Sequence, residues 1–308
     1  MAYEKIVLVT RETRLDGLIA RYNSRPQAKF VIERAGGDFS DYEREDTAYR
    51  RALDALCSRL SGILKIQAVD RRFVPSYLFT EKDLVVTAGQ DGLVANTAKY
   101  ASDQPIVAVN PDPSRYDGLL LPFNVEDAPR VVRRVLAGTA RLRPVTLAEA
   151  RLKDGQRLLA FNDLFIGART HVSARYRIRF GPRSEQQSSS GIIVSTGAGS
   201  TGWMSSVLHM ARGVMAFTGH PVPAVKLQMA WEDERLVFAV REPFLSRTSQ
   251  VGIVAGMLGP GEELVIESLM PGGGVVFSDG VEADFLDFNS GTIAAVQVAG
   301  KKARLVVQ

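Results

Sequence analysis

The chain is expected to fold as two domains, an α/β domain with a parallel sheet over residues 1–140 and a β-rich domain over residues 141–308, with the extreme C-terminus free to return to the first. Three observations predict this. A chain of 308 residues is long for one hydrophobic core. Its first 140 residues alternate between strand-like and helix-like patterns. After Arg143 the texture changes to short runs rich in Val, Ile, Phe and Thr, punctuated by Gly and Pro, as strands joined by turns require.

In the first domain, "KIVLVT" opens as a short buried strand, and a helix is expected around Leu15 to Tyr22. The clearest helix starts at Ser40, where Ser40 and Glu43 have capping-box spacing, and runs through Tyr49, Leu53, Leu56 and Leu60 to Gly62. "DLVVTAG" and "PIVAVN" are buried strands with the helix "LVANTAKYA" between them. Strand, helix, strand in that order implies parallel pairing. A helix from Glu126 to Leu136 closes the domain. In the second, "RYRIRF" at 175–180 alternates like a half-exposed strand, "GPRSEQQSSSG" and "MPGGG" are polar turns, and one helix is expected after Ser200.

Hydrophobic residues make up 45% and charged residues 23%, the balance of a soluble globular protein. A single cysteine, Cys57, excludes an intrachain disulfide and a cysteine-rich zinc site and fits a reducing, cytoplasmic setting; on a helix face it reads as a small apolar residue. His171, His209 and His220 have no ligand spacing, so no protein metal site is expected. No apolar stretch is long enough for a membrane span. The net charge of +4 invites a nucleic-acid reading, but the basic residues are dispersed with no Lys/Arg block, and mild basicity suits an anionic small molecule equally well; no nucleic-acid partner is expected.

Three stretches carry chemistry. In "VVTAGQDGLVANTA" a buried strand ends in Gly89, Gln90, Asp91 and Gly92 and a helix begins, so free backbone N–H groups and the positive helix end point at one place. Asp91 in such a phosphate cradle suits a base that accepts a proton from an attacking hydroxyl, or a group that helps to hold a cation; a turn or cap residue is the plainer alternative. In "LAFNDLFIGA", Asn162 and Asp163 interrupt an apolar strand, as base- or ribose-binding groups or as a solvated bulge. In "VSTGAGSTGW", Thr196, Ser200 and Thr201 are short donors on a backbone that a ligand can approach closely. Gly197, Gly199 and Gly202 there have G-x-G-x-x-G spacing, but no Asp or Glu lies between Gly202 and Trp231 to hold a ribose, the first being Glu232 and Asp233, so a dehydrogenase is the least favoured reading.

In order and spacing these stretches resemble the NAD kinases: "AGQDG" is similar to the family's Gly-Gly-Asp-Gly loop, Asn162 and Asp163 to its Asn-Glu pair, and "TGAGSTGW" to its Thr-Pro-Thr-Gly-Ser-Thr-Ala-Tyr segment. "VAVNPDPSRYDGLLLPF", "SSGIIVSTGAGSTGW", "FAVREPF" and "FSDGVEADFLDFNSGTIAAV" each resemble a segment of the mitochondrial-type branch. The resemblance implies a Rossmann-like domain with a phosphate loop, a β-sandwich domain that binds the dinucleotide, and transfer of the ATP γ-phosphoryl group, with Mg2+ or another divalent cation, to the adenosine ribose 2′-hydroxyl of NAD or NADH. By position, Asp91 would be the general base, Gly89, Gln90 and Gly92 the phosphate loop, Asn162 and Asp163 the adenosine contacts, and Thr196, Ser200 and Thr201 the dinucleotide lining. Homo-oligomers, dimers first, are implied as well.

Gln90 stands where the family has its second glycine, a place where positive φ would strain it by about 1 to 2 kcal/mol. Leu93 stands where a polar side chain beside the phosphates is usual, and Ser190 where many members carry Asp. A dinucleotide-binding protein with a silent phosphate loop and a related lipid or sugar kinase are the alternatives.

Overall fold

The computed structural model describes residues 3–101, 103–220 and 227–308. The chain divides into two compact units, one of residues up to Arg143 together with Arg304–Gln308, the other Pro144–Ala303.

The first unit contains β1 (Lys5–Thr10), α1 (Arg14–Tyr22), α2 (Arg25–Arg34), α3 (Phe39–Leu60), β2 (Lys65–Asp70), β3 (Asp83–Ala88), α4 (Asp91–Ala98), β4 (Pro105–Asn110), the two-residue β5 (Phe123–Asn124) and α5 (Ala128–Leu136). β2, β1, β3 and β4 pair in that order, all parallel. β3 and β4 are buried at every residue, as continuous apolar runs covered on both faces must be. Ile6, Leu8, Leu84, Val86, Val107 and Val109 pack on Leu56 and Leu60 of α3 and Val131, Val132 and Val135 of α5.

Three local details differ from the sequence expectation. The helix expected at Ser40 starts at Phe39 and is capped by Asp38, whose carboxylate accepts the Ser40 N–H at 2.9 Å. Glu43 does not close a capping box, because it accepts from the Arg25 guanidinium at 2.5 Å. That arginine belongs to α2, an unexpected helix which Ser24 caps and which has a proline in its first turn. α5 starts at Ala128, two residues later than expected.

The second unit holds most of β6 (Arg141–Leu152), then β7 (Arg157–Ala160), β8 (Asp163–Ala168), β9 (Ala174–Phe180), β10 (Arg183–Ser189), β11 (Ile192–Ser195), α6 (Trp203–Phe217), β12 (Leu236–Val240), β13 (Ala255–Leu258), β14 (Leu264–Ser268), β15 (Gly274–Ser278), β16 (Val281–Asp287) and most of β17 (Ile293–Val307). One antiparallel sheet runs β13-β12-β11-β8-β15-β16, and β10, β9, β14 and β17 follow one another in a second. Leu164, Ile166, Val194, Phe238 and Val276 of the first face Tyr176, Ile178, Leu264, Ile266 and Val296 of the second across one core, which makes this unit a β-sandwich. The outer face of the first sheet carries Ile193, Val237 and Ala239, covered by Met204 and Trp203 of α6.

The stretch read as the polar turn "GPRSEQQSSSG" is mostly strand: Arg183 through Ser189 pair with β9, leaving Gly181 and Pro182 as the turn before it and Ser190 with Gly191, at a φ of 101°, as the bend after it. Hydrogen bonds rather than apolar alternation hold it. Glu185 accepts the Ile253 N–H at 2.7 Å, and the Tyr176 hydroxyl donates to the Gln187 side chain at 3.0 Å.

Candidate functional site

In the first unit, β3 ends at Ala88 and α4 begins at Asp91. At Gly89 the Leu93 side chain closes over the backbone, since a Cβ there would lie 2.7 Å from Leu93 Cδ2 and would push that methyl aside. Gln90 is the N-cap residue but makes no side-chain capping bond, so no cap side chain claims the first-turn N–H groups. Its φ is −95° and its ψ 168°, ordinary extended geometry, so the strain expected of a non-glycine residue here is absent. Leu93, expected beside the phosphates, is turned inward at 2% exposure against Gly89. Asp91 is half-buried, and its two oxygens accept the backbone N–H groups of Leu119 at 3.2 Å and Leu120 at 2.9 Å. The carboxylate is thereby held in one orientation, with a lone pair on each oxygen still open.

In the second unit, Asn162 and Asp163 sit at the corner between β7 and β8. The group that makes this corner is Asp279, in the segment "FSDG". Its carboxylate accepts three consecutive N–H groups, from Phe161 at 3.0 Å, Asn162 at 2.6 Å and Asp163 at 3.2 Å, and its own N–H donates to the Asp163 carbonyl at 3.0 Å. Asp279 takes a positive φ of 52°, and Gly280 follows at 69°. The Asp-Gly pair was the available signal, since both positions of such a turn need left-handed backbone.

Burial raises the Asp163 carboxyl to about 7, and the nearby Asp279 charge adds to the effect. One of its oxygens is buried with no hydrogen-bond partner among the described residues. An uncompensated buried carboxyl costs stability, and such groups concentrate where ligands bind.

The bend after β11 explains its glycines and places two of the three expected hydroxyls differently. A Cβ on Gly197 would lie 1.9 Å from the Ala230 carbonyl oxygen, and one on Gly199 2.3 Å from that of Asn162. These glycines let backbone pass backbone. Thr196 and Ser200 are 0% and 1% exposed. The Thr196 hydroxyl donates to the Phe161 carbonyl at 2.6 Å, and that of Ser200 to the Gly197 carbonyl at 2.7 Å, so both shape the bend instead of offering donors outward. Thr201 is exposed.

Strand alternation puts Asp163, Phe165 and Gly167 on one face of β8, opposite the core residues Leu164 and Ile166. On that face the Phe165 ring stacks on Trp203 at 5.9 Å and 10° and contacts Phe277 at 4.8 Å. A cavity of about 520 Å³ opens there, lined by these rings and by Arg169, Ser190 and Arg241 among others. The Arg241 guanidinium lies 5.4 Å from the Trp203 ring centre, and that of Arg169 lies 4.0 Å from Phe285. These aromatic and arginine positions carry no signal in the sequence, because nothing local distinguishes Phe165 from the core residues beside it. Among the described residues no three His, Cys, Asp or Glu side chains form a metal site. No described helix is long and apolar enough to cross a membrane.

No family model matches the chain. Single proteins do. It is 24% identical over 317 residues to rat NAD kinase 2, mitochondrial, covering 79% of this chain and 74% of the relative. The human protein of that name is 25% identical over 259 residues, 67% of this chain and 58% of the relative. The NAD kinase of Heliobacterium modesticaldum is 32% identical over 131 residues, 40% of this chain and 46% of the relative. Part of each relative's length thus lies outside the match. Among solved structures, yeast NADH kinase complexed with NADH superposes with a TM-score of 0.59 at 14% identity, covering 100% of this chain and 84% of that one. An Archaeoglobus fulgidus NAD kinase in complex with ATP gives 0.56 at 15% identity, covering 98% and 93%. The chain is therefore similar in sequence to NAD kinases, those of mitochondrial type among them, and it has their fold.

Proposed function

We propose that this protein is an NAD(H) kinase that moves the γ-phosphoryl group of ATP to the 2′-hydroxyl of the adenosine ribose of NAD or NADH. The observation that carries the reading is the turn from Gly89 to Gly92, which sets uncapped N–H groups at the head of α4 and a carboxylate, Asp91, in one fixed orientation beside them. A phosphoryl transfer needs little else from a protein than anion-binding donors and a base at the nucleophile. In this reading Asp91 takes the proton of the 2′-hydroxyl as its oxygen bonds to the γ-phosphorus, and the bond from that phosphorus to the β,γ-bridging oxygen breaks to release ADP. The divalent cation, Mg2+ by preference, enters with ATP as part of the substrate.

In the sandwich unit, Asn162 and Asp163 are assigned to the adenosine, with Thr201 as the exposed hydroxyl of the bend. The aromatic face of Phe165, Trp203 and Phe277 with Arg169 and Arg241 suits a flat ring that carries phosphate. A cytoplasmic homodimer is the proposed setting, in keeping with a single cysteine; light scattering tests the dimer.

The function is tested by incubating the protein with ATP, magnesium and either NAD or NADH and separating the products. NADP or NADPH is expected. Dinucleotide binding without phosphorylated product, over a range of divalent cations and with polyphosphate as alternative donor, would replace the kinase reading by a binding protein.

A further inference from the structure

The carboxylate of Asp91 is oriented by Leu119 and Leu120, so whatever fixes that segment fixes Asp91. Packing holds one side of it, since Leu120 and Leu121 are buried at 7% and 5%, but not the other, where Leu119 is 71% exposed. Polar ties hold the chain just upstream of Leu119. The Asn110 side chain donates to the Tyr116 carbonyl at 2.9 Å, and its oxygen accepts the Asp112 N–H at 3.0 Å. Gly118 then turns the chain at a φ of 65°, with room for no Cβ, since one would lie 2.9 Å from Asn110 Nδ2.

The side chain of Tyr116 reaches the end of β1. Its hydroxyl accepts from the Arg11 guanidinium at 3.0 Å, and the same nitrogen of Arg11 donates to Glu45 at 2.6 Å. Arg11 and Glu45 are 10% and 2% exposed, so this pair is shielded from water and holds its geometry better than a surface ion pair does. The Arg11 guanidinium also lies 4.6 Å from the ring centre of Tyr49, whose hydroxyl accepts the Arg11 N–H at 3.0 Å and donates to the Ala88 carbonyl at 2.9 Å, one residue before Gly89. One buried cluster thus ties the phosphate loop on one side and the segment that grips Asp91 on the other.

We infer that Tyr116, through Arg11 and Glu45, is a positioning residue for the Asp91 carboxylate. The inference rests on the reading of Asp91 as the base, and its test separates the two. In Tyr116→Phe the ring stays, and the hydroxyl's ties to Arg11 at 3.0 Å and to Glu45 at 3.4 Å go. Hydrogen exchange over residues 117–121 and steady-state kinetics are measured on the full chain, with thermal unfolding as a control for folding. Faster exchange at Leu119 and Leu120 is expected, with kcat lowered on the order of tenfold and KM for ATP and dinucleotide within about twofold; Tyr116→Ala is expected to lower kcat on the order of 100-fold, the scale of a misplacement of about 1 Å. Unchanged exchange in the Phe variant overturns the inference, as does unchanged kcat or a change confined to KM. If the unmodified protein has no kinase turnover, the kinase reading fails separately, and exchange alone decides whether Tyr116 holds the segment on Asp91.

Discussion

Replacing Asp163 by Asn keeps the shape of the side chain and removes its titration, and the structure sets the size of the effect. The folded carboxyl releases its proton near pH 7, against 3.8 for an ordinary aspartate. Between those values the folded chain keeps a proton that the unfolded chain has already lost, so stability falls as pH rises across the window and is constant above it. The amide of the variant would not titrate in either state. From pH 5 to pH 7 the span is two pH units at about 1.4 kcal/mol each, so the stability of Asp163→Asn relative to the unmodified protein should rise by about 3 kcal/mol and then level off. Urea unfolding of both proteins at half-unit steps from pH 5 to 8.5 measures this, and taking the difference cancels the other titrating groups. Parallel stability curves, or a variant that loses relative stability toward pH 8, would refute both the burial of this carboxyl and the cost assigned to it. The same replacement should weaken dinucleotide binding if Asp163 holds the adenosine, so one substitution would make the protein more stable and less functional.

Asp91→Asn should lower kcat by roughly 100-fold to 10,000-fold with dinucleotide affinity little changed, because base assistance is needed only in the transition state; comparable turnover would remove Asp91 from the mechanism. Gly197→Ala should cost about 3 kcal/mol or more in urea unfolding, since the atom 1.9 Å from its Cβ is backbone and cannot yield. Gly213→Ala, in α6 with nothing within 4 Å of the new Cβ, is the control and should be neutral or stabilising by up to about 1 kcal/mol. Leu93→Thr should destabilise by about 2 to 4 kcal/mol, because the residue is 2% exposed and the new hydroxyl would be buried beneath the loop; an unchanged unfolding midpoint would show that Leu93 is not packed there.

The fold class was legible because it follows from local pattern. Short, β-branched apolar runs bounded by polar residues, such as Ile6 to Val9, suit buried strands, a strand, helix and strand in succession pair in parallel, and short β-rich runs close into a sandwich. Helix starts were read less well. Ser40 and Glu43 have capping-box spacing, but Asp38 lies closer to the first free N–H groups and Arg25 draws Glu43 away, a competition settled by a helix far off in sequence. The strand Arg183–Ser189 was hidden for the same reason: its polar side chains are satisfied by Tyr176 and by the N–H groups of Gly252 and Ile253, which no sequence window contains.

What the sequence determined by itself was the turn chemistry and the order of chemically distinctive stretches: Gly89 through Gly92 between a buried strand and a helix, Asn162 and Asp163 breaking an apolar run, and glycines at 197, 199 and 202. What only the tertiary structure decided was what each polar atom there is free to do. Gln90 is unstrained because its backbone is extended, a fact set by how β3 meets α4. Thr196 and Ser200 are spent on carbonyls of their own unit, while Asp163 is left with an oxygen that has no partner among the described residues. Asp279 makes the corner at Asn162 although more than a hundred residues separate them. Turn propensity and periodicity depend on neighbours along the chain and can be read from it, whereas hydrogen-bond satisfaction and burial depend on neighbours in space, which exist only once the sheets have closed.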